Sequence, residues 1–194
     1  MANNDLYKIE VYDHGEESKK VYNFKKELNT SSFLKKMKDS GAEFIKVATI
    51  VLDEKKAAGY TYVTENELWK GNDAKGWVYI ISVNNKIVKI GQTDATLKSR
   101  FNSYQAGTLK ARNKGTCSVT NWNCSEFWRT CLHEGLDLKI FAYQVPTTET
   151  TLQVFGRQEV ARNKHAYLYE NALLKEYKDI KGNYPILSNN TSEA

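Results

Sequence analysis

At 194 residues the chain is long enough for one well-buried core, or one catalytic domain with an addition, and too short for two full-sized domains. With 41% hydrophobic and 26% charged residues, two prolines and eleven glycines, the composition is that of a soluble globular protein and does not suggest a long disordered tract. The net charge of +5 favours acidic partners, of which nucleic acid is the commonest, and no stretch approaches the ~18 apolar residues of a membrane span. The opening MANNDLYKIE carries no basic-then-apolar signal, so a cytoplasmic location without a membrane partner is expected. Cys117, Cys124 and Cys131 lie at seven-residue intervals without a tight C-x2-4-C knuckle, which favours buried free thiols over a disulfide framework or structural zinc.

In chain order, YKIEVYD reads as a strand, SFLKKMKDS as a short helix and EFIKVATIVL as a strand. Residues 1–75 form an extension by this reading. ENELWKGNDAKG is a polar, glycine-bounded link. After it, GWVYIISVNNKIVKIGQT reads as a β-hairpin around Asn84-Asn85. Two registers compete. A two-residue turn would pair Val83 with Lys86 and put Tyr79 and Lys89 on opposite faces. A three-residue loop, Asn84 to Lys86, pairs Val83 with Ile87 and Ile81 with Lys89. One face then carries Val78, Ile80, Ser82, Val88 and Ile90, and the other carries Tyr79 diagonally across from Lys89. The second register separates the faces more cleanly and is preferred.

TDATLKSRFNSYQAG predicts a helix over 95–106, with Thr93 or Asp94 as cap and Gly107 as stop. Arg100 and Tyr104 are four apart and neighbours along it, so their tips can converge on one cleft. LKARNKGT is basic and polar, a helix is possible from Ser125 to His133, and DLKIFAYQV could add a third strand to the hairpin. In the final helix, NKHAYLYENALLKEYKD, Glu170 interrupts an apolar stripe of Ala166, Tyr167, Leu173 and Leu174. Burying an ionised carboxylate without compensation is costly, and a bound cation is one way to meet that need. The tail SNNTSEA should fray.

Taken with their order, these residues resemble the GIY-YIG nucleases, named for two short motifs on neighbouring strands followed by an arginine-bearing helix. The first motif reads Trp77-Val78-Tyr79, with Gly76 one place early, and the second reads Lys89-Ile90-Gly91. Arg100 falls nine residues after Gly91, Tyr104 takes a place often held by histidine, and Glu170 stands on a later helix. The lysine in place of the second tyrosine resembles a variant found in some restriction endonucleases and phage nucleases of the family. The resemblance covers about residues 76–190, leaving 1–75 as an extension and 191–194 as a tail.

The resemblance implies an α/β (α+β) fold with a small, mostly antiparallel three-stranded sheet flanked by helices. It also implies an endonuclease that hydrolyses double-stranded DNA with one divalent cation, magnesium or manganese, held by Glu170. Arg100 would hold a phosphate oxygen, Tyr79 would be the general base assisted or replaced by Lys89, and Tyr104 would orient water or phosphate. Asn189 would lie close to the site, and Lys110, Arg112 and Lys114 could track the phosphate backbone. A site-specific, restriction-type enzyme acting as a homodimer is favoured over a phage or mobile-element nuclease. The rival from another class is a non-catalytic DNA-binding module that keeps the fold, and a more distant one is an RNA-directed protein. Singly, each residue has an ordinary reading: Tyr79 as a strand aromatic, Lys89 as a solvated edge lysine, Arg100 and Tyr104 as an exposed helix face, and Glu170 as a salt-bridge partner.

Overall fold

The structure, a computed structural model, describes residues 7–12, 19–64, 67–69 and 75–188. Its centre is a five-stranded antiparallel sheet in the order β4-β3-β7-β5-β6, made of β3 (Ile45–Leu52), β4 (Tyr60–Thr64), β5 (Trp77–Val83), β6 (Lys86–Thr93) and β7 (Leu138–Gln144). The sheet therefore has five strands where three were expected. DLKIFAYQV does pair with the hairpin, but it inserts between β5 and β3, so two strands from the first 75 residues continue the same sheet. The short length of each strand hides this. Nothing in EFIKVATIVL says whether its edge pairs locally or with a partner about ninety residues on.

Every residue of β5 is buried, because helices cover both faces of the sheet. Trp77, Tyr79, Ile81 and Val83 pack toward α2 (Leu97–Gln105), α4 (Val119–His133) and the β1–β2 hairpin (Lys8–Tyr12, Lys19–Asn23). Val78 and Ile80 pack toward α1 (Thr30–Asp39) and α5 (Ala166–Lys181). A strand buried on both faces reads as a nearly continuous apolar run, as WVYIISV does apart from Ser82.

The β5–β6 turn corrects the expected register. Asn84 and Asn85 have φ of 46° and 60°, forming the two-residue turn in which Val83 pairs with Lys86. A β-bulge then leaves Val88 as an extra residue, so that Ser82 pairs with Ile87 but Ile81 with Lys89. The bulge does what the longer loop was expected to do. Beyond it Tyr79 lies diagonal to Lys89, as anticipated, while Val88 turns to the Tyr79 side and Ile87 takes its place beside Ile80 and Ile90. The turn is tied down on both sides: Asn84 Oδ1 accepts the Asp137 N–H at 2.9 Å, and the Asn85 carbonyl accepts the Thr30 N–H at 2.9 Å.

Two further segments differ from expectation. The polar link contains a 3-10 turn, Glu67–Trp69, whose Trp69 is buried with its ring 5.1 Å from that of Phe101. After β7, Thr148–Val154 and Arg157–Asn163 form the β8–β9 hairpin, exposed along both strands, which no sequence pattern had indicated. Helix α3 (Leu109–Asn113) occupies the basic segment. Among the described residues no helix is long and apolar enough to cross a membrane.

Candidate active site

The site forms where β5, β6, α2 and α5 meet at the outer edge of β6. Helix α2 is capped two residues after Asp94 and three after Thr93, with Thr96 Oγ1 accepting the Ser99 N–H at 3.2 Å. Its end comes at the expected place for another reason. A Cβ on Gly107 would lie 2.7 Å from the Asn121 carbonyl oxygen, so the glycine lets α4 approach closely. Leu97, Phe101 and Tyr104 face the sheet, and Arg100 reaches in from the side of the same turn.

Tyr79 and Tyr104 are both fully buried, and their hydroxyls lie 2.8 Å apart. Arg100 binds both, donating from Nε to Tyr79 Oη at 2.9 Å and from Nη2 to Tyr104 Oη at 2.8 Å. Only two of the guanidinium's five N–H groups are used in this way, and Arg100 makes no ion pair among the described residues. Burial works against its charge, but the two tyrosines more than offset that, and its pKa lies above the ordinary arginine value. Burial, and then Tyr79, raise the Tyr104 hydroxyl well above its ordinary value despite Arg100, so it stays protonated. Around them Phe101 and Trp128 close the pocket, with ring centroids 5.1 Å from Tyr79 and 4.7 Å from Tyr104.

Gly91 sits directly opposite Tyr79 on β6, and a Cβ there would lie 2.5 Å from Tyr79 Cζ and Oη. The second motif's glycine therefore makes room for the first motif's tyrosine.

Lys89 is only 6% exposed although β6 is an edge strand. After α5 the chain returns along that edge, where the Leu187 N–H donates to the Val88 carbonyl at 3.0 Å. Ser188 Oγ accepts the Ile90 N–H and donates to its carbonyl, both at 3.1 Å. The edge is thus covered, and Lys89 Nζ donates to the Leu187 carbonyl at 3.0 Å. The ordinary reading of a solvated edge lysine fails for this reason.

Glu170 lies in the stripe Ala166, Leu173, Leu174 and Tyr177 that packs α5 on the sheet, whereas Tyr167 is exposed and does not belong to it. The far end of α5 is anchored by Tyr177. Its hydroxyl donates to the buried Glu27 carboxyl and accepts the Leu28 N–H, while Lys86 Nζ donates to the Glu27 carbonyl at 3.0 Å. The Glu170 carboxyl is pushed up by burial and pulled back by the charges of Lys89 and Arg100, with burial prevailing. It forms no hydrogen bond or ion pair among the described residues.

One carboxylate with unused lone pairs is a donor set suited to a hard cation that keeps most of its water and shares phosphate oxygens. Among the described residues no three His, Cys, Asp or Glu side chains cluster as a zinc site would require. The three cysteines are buried and free.

This architecture is shared with two solved structures. A restriction endonuclease, HPY188I, in complex with product DNA matches with a TM-score of 0.55 and 23% identity, over 87% of this chain and 89% of its own. Bacteriophage T4 EndoII matches with a TM-score of 0.54 and 19% identity, over 75% of this chain and 96% of its own. At these identities the likeness is one of fold. It extends well into the first 75 residues, consistent with β3 and β4 belonging to the central sheet. No family model and no curated protein matches the chain by sequence.

Tyr79, Arg100 and Tyr104 are therefore in direct contact, and Lys89 and Glu170 act on one another through space. Lys110, Arg112 and Lys114 are exposed on and after α3 and bond to none of these five. Asn189 lies outside the described residues. Sequence reasoning missed the Leu187 carbonyl, Ser188 and Cys124. Cys124 is fully buried, its thiol pushed up by burial and pulled back by Lys89 and Arg100. A backbone carbonyl carries no residue signal, so only the chain path could reveal Leu187.

Proposed function

We propose that this chain is a magnesium-dependent endonuclease hydrolysing phosphodiester bonds of double-stranded DNA, site-specific and of restriction type. In this reading it is a GIY-YIG enzyme of the variant whose second motif begins with lysine. One observation carries the proposal. Two cations, Lys89 and Arg100, act through space on one half-buried carboxylate, Glu170, and none of the three forms an ion pair among the described residues. A structural cluster of these charges would close into salt bridges, whereas a site for a phosphodiester and a cation keeps both kinds of charge open. The fold shared with a restriction endonuclease that was solved with product DNA supports the same reading.

Arg100, held in orientation by two tyrosine hydroxyls, uses its remaining N–H groups to grip the scissile phosphate and stabilise the charge that develops on it. Tyr79 in this role acts as the phenolate, becoming the neutral phenol as it takes the proton of the attacking water, with the cationic Arg100 Nε–H donating to its oxygen. Lys89 assists from the neighbouring strand, and Tyr104, which stays protonated, fixes the Tyr79 oxygen. Glu170 would hold the divalent cation, which supplies charge neutralisation at the leaving oxygen when bound. Exposed Lys110, Arg112 and Lys114 contact the DNA backbone, together with Asn189. One small domain offers one site, so cleavage of both strands is assigned to a homodimer. A role for residues 1–75 in DNA wrapping or dimerisation is tested by sedimentation with and without DNA.

The experiment is digestion of a plasmid of known sequence with magnesium, alongside Glu170→Ala and an EDTA control. Discrete fragments that vanish in both controls are expected. Intact DNA with a gel shift would replace the enzyme with a DNA-binding module. Tyr79→Phe and Lys89→Met in the same assay separate the two contenders for general base.

A further inference from the structure

Beside the site, strand β2, the first turns of α4 and the returning segment enclose a cleft of about 260 Å³. Its wall is shared with the site: Leu187 presents its carbonyl to Lys89, and Cys124 lies within the electrostatic reach of Lys89 and Arg100. The polar groups lining it are Lys20, Asn23, Thr120 and Asn123, with no carboxylate among the lining residues. Thr120 and Asn123 make no side-chain hydrogen bond among the described residues, and Asn23 uses only its carbonyl oxygen, accepting the Lys25 N–H at 3.1 Å. Lys20 is exposed, its Nζ 5.1 Å from the Tyr22 ring centroid and without an ion pair among the described residues. Thr120 also lies in the first turn of α4, at the positive end of the helix dipole.

A cleft offering one ammonium, two carboxamide N–H2 groups and a hydroxyl, with no carboxylate among its described lining residues, is complementary to an anion with several acceptor oxygens. We propose that it binds a backbone phosphate of the DNA strand, on the flank of the scissile phosphate. The inference rests on the nuclease reading above and adds a second point of grip to it. Lys20 supplies the charge, Asn123 and Thr120 supply neutral donors, and β2 becomes part of the DNA surface. Such a contact fixes the register of the strand without reading its bases.

The test is binding of fluorescent duplexes of unrelated sequence to the full chain in EDTA, followed by anisotropy across a salt series. Lys20→Gln should weaken binding several-fold for every sequence and reduce the slope of log affinity against log salt by about 0.9, one phosphate's worth. Asn123→Ala should weaken binding severalfold and leave the slope unchanged, because it removes a neutral donor. If Lys20→Gln leaves the slope as it was while wild type binds, the phosphate assignment is wrong and the nuclease reading stands. A change in sequence preference with the slope unchanged would make the cleft a base pocket and overturn the inference as well. If wild type binds no duplex at any salt, the nuclease reading falls and takes this one with it.

Discussion

On one side of the β6 edge, the hydroxyls of Tyr79 and Tyr104 and the guanidinium of Arg100 are bonded to one another within an aromatic shell. On the other side, Glu170 stands half-buried with no partner among the described residues, its anionic form disfavoured by burial. The first half is preorganised: its dipoles are already oriented, so little reorganisation is needed when charge develops beside it. The second half leaves its lone pairs without a hydrogen bond among the described residues. Buried polar groups that are saturated position a site, and those left open mark where a ligand enters.

The comparison is broken most sharply at Arg100, which donates a hydrogen bond to each of the two tyrosines. Arg100→Ala should lower single-turnover cleavage by about 10²–10³-fold, the usual loss for a donor to transition-state charge. Arg100→Lys should rescue little, because an ammonium cannot reproduce the fork that binds two hydroxyls and a phosphate together. Rescue to near wild-type rates would reduce Arg100 to a point charge.

Gly91→Ala tests how far the preorganised half depends on the strand beneath it. With a Cβ 2.5 Å from Tyr79 Cζ, the ring must move, and a loss of about 1–3 kcal/mol in denaturant unfolding is expected together with reduced cleavage. Unchanged stability would mean that Tyr79 has another place to go. Tyr104→Phe should cost less, about 1 kcal/mol for the hydrogen bonds its hydroxyl makes, with a partial loss of rate. A larger stability loss than that of Gly91→Ala would reverse the assignment of which residue organises the other.

The smallest effect on stability belongs to the open half. Because burial raises the Glu170 carboxyl above its ordinary value, the folded chain takes up this proton at higher pH than the unfolded chain. The ionised carboxylate thus costs stability at neutral pH, and that cost disappears as pH falls through the raised pKa toward the ordinary carboxylate range. Glu170→Gln should therefore melt slightly above wild type at neutral pH, with the difference closing in acid, and should not cleave. Wild-type cleavage should decline on the acid side above the pH at which an ordinary carboxylate is protonated. A variant that melts below wild type at neutral pH would show that Glu170 is paired in solution.

Much of this was legible in the residues. WVYIISV and KIVKIGQT are strands, Arg100 and Tyr104 share one side of α2, and Glu170 stands out on α5, because apolar periodicity and i,i+4 spacing are local properties. The diagonal placing of Tyr79 and Lys89 was also anticipated, although through the wrong turn. A loop and a bulge can deliver the same register, and Val88 carries no mark that it is the extra residue. The exposed β8–β9 hairpin escaped notice because its apolar residues are too few to form a periodic pattern.

By itself the sequence determined the two hairpin strands, the helix after them and the adjacency of Arg100 and Tyr104 along it, since each depends on spacing along one element. Only the tertiary structure decided that the sheet has five strands, that Lys89 is buried beneath the returning Leu187–Ser188 segment, and that β2 and α4 form a cleft beside the site. Those features depend on which distant segments meet, and strand edges, backbone carbonyls and clefts leave no period in the chain that makes them.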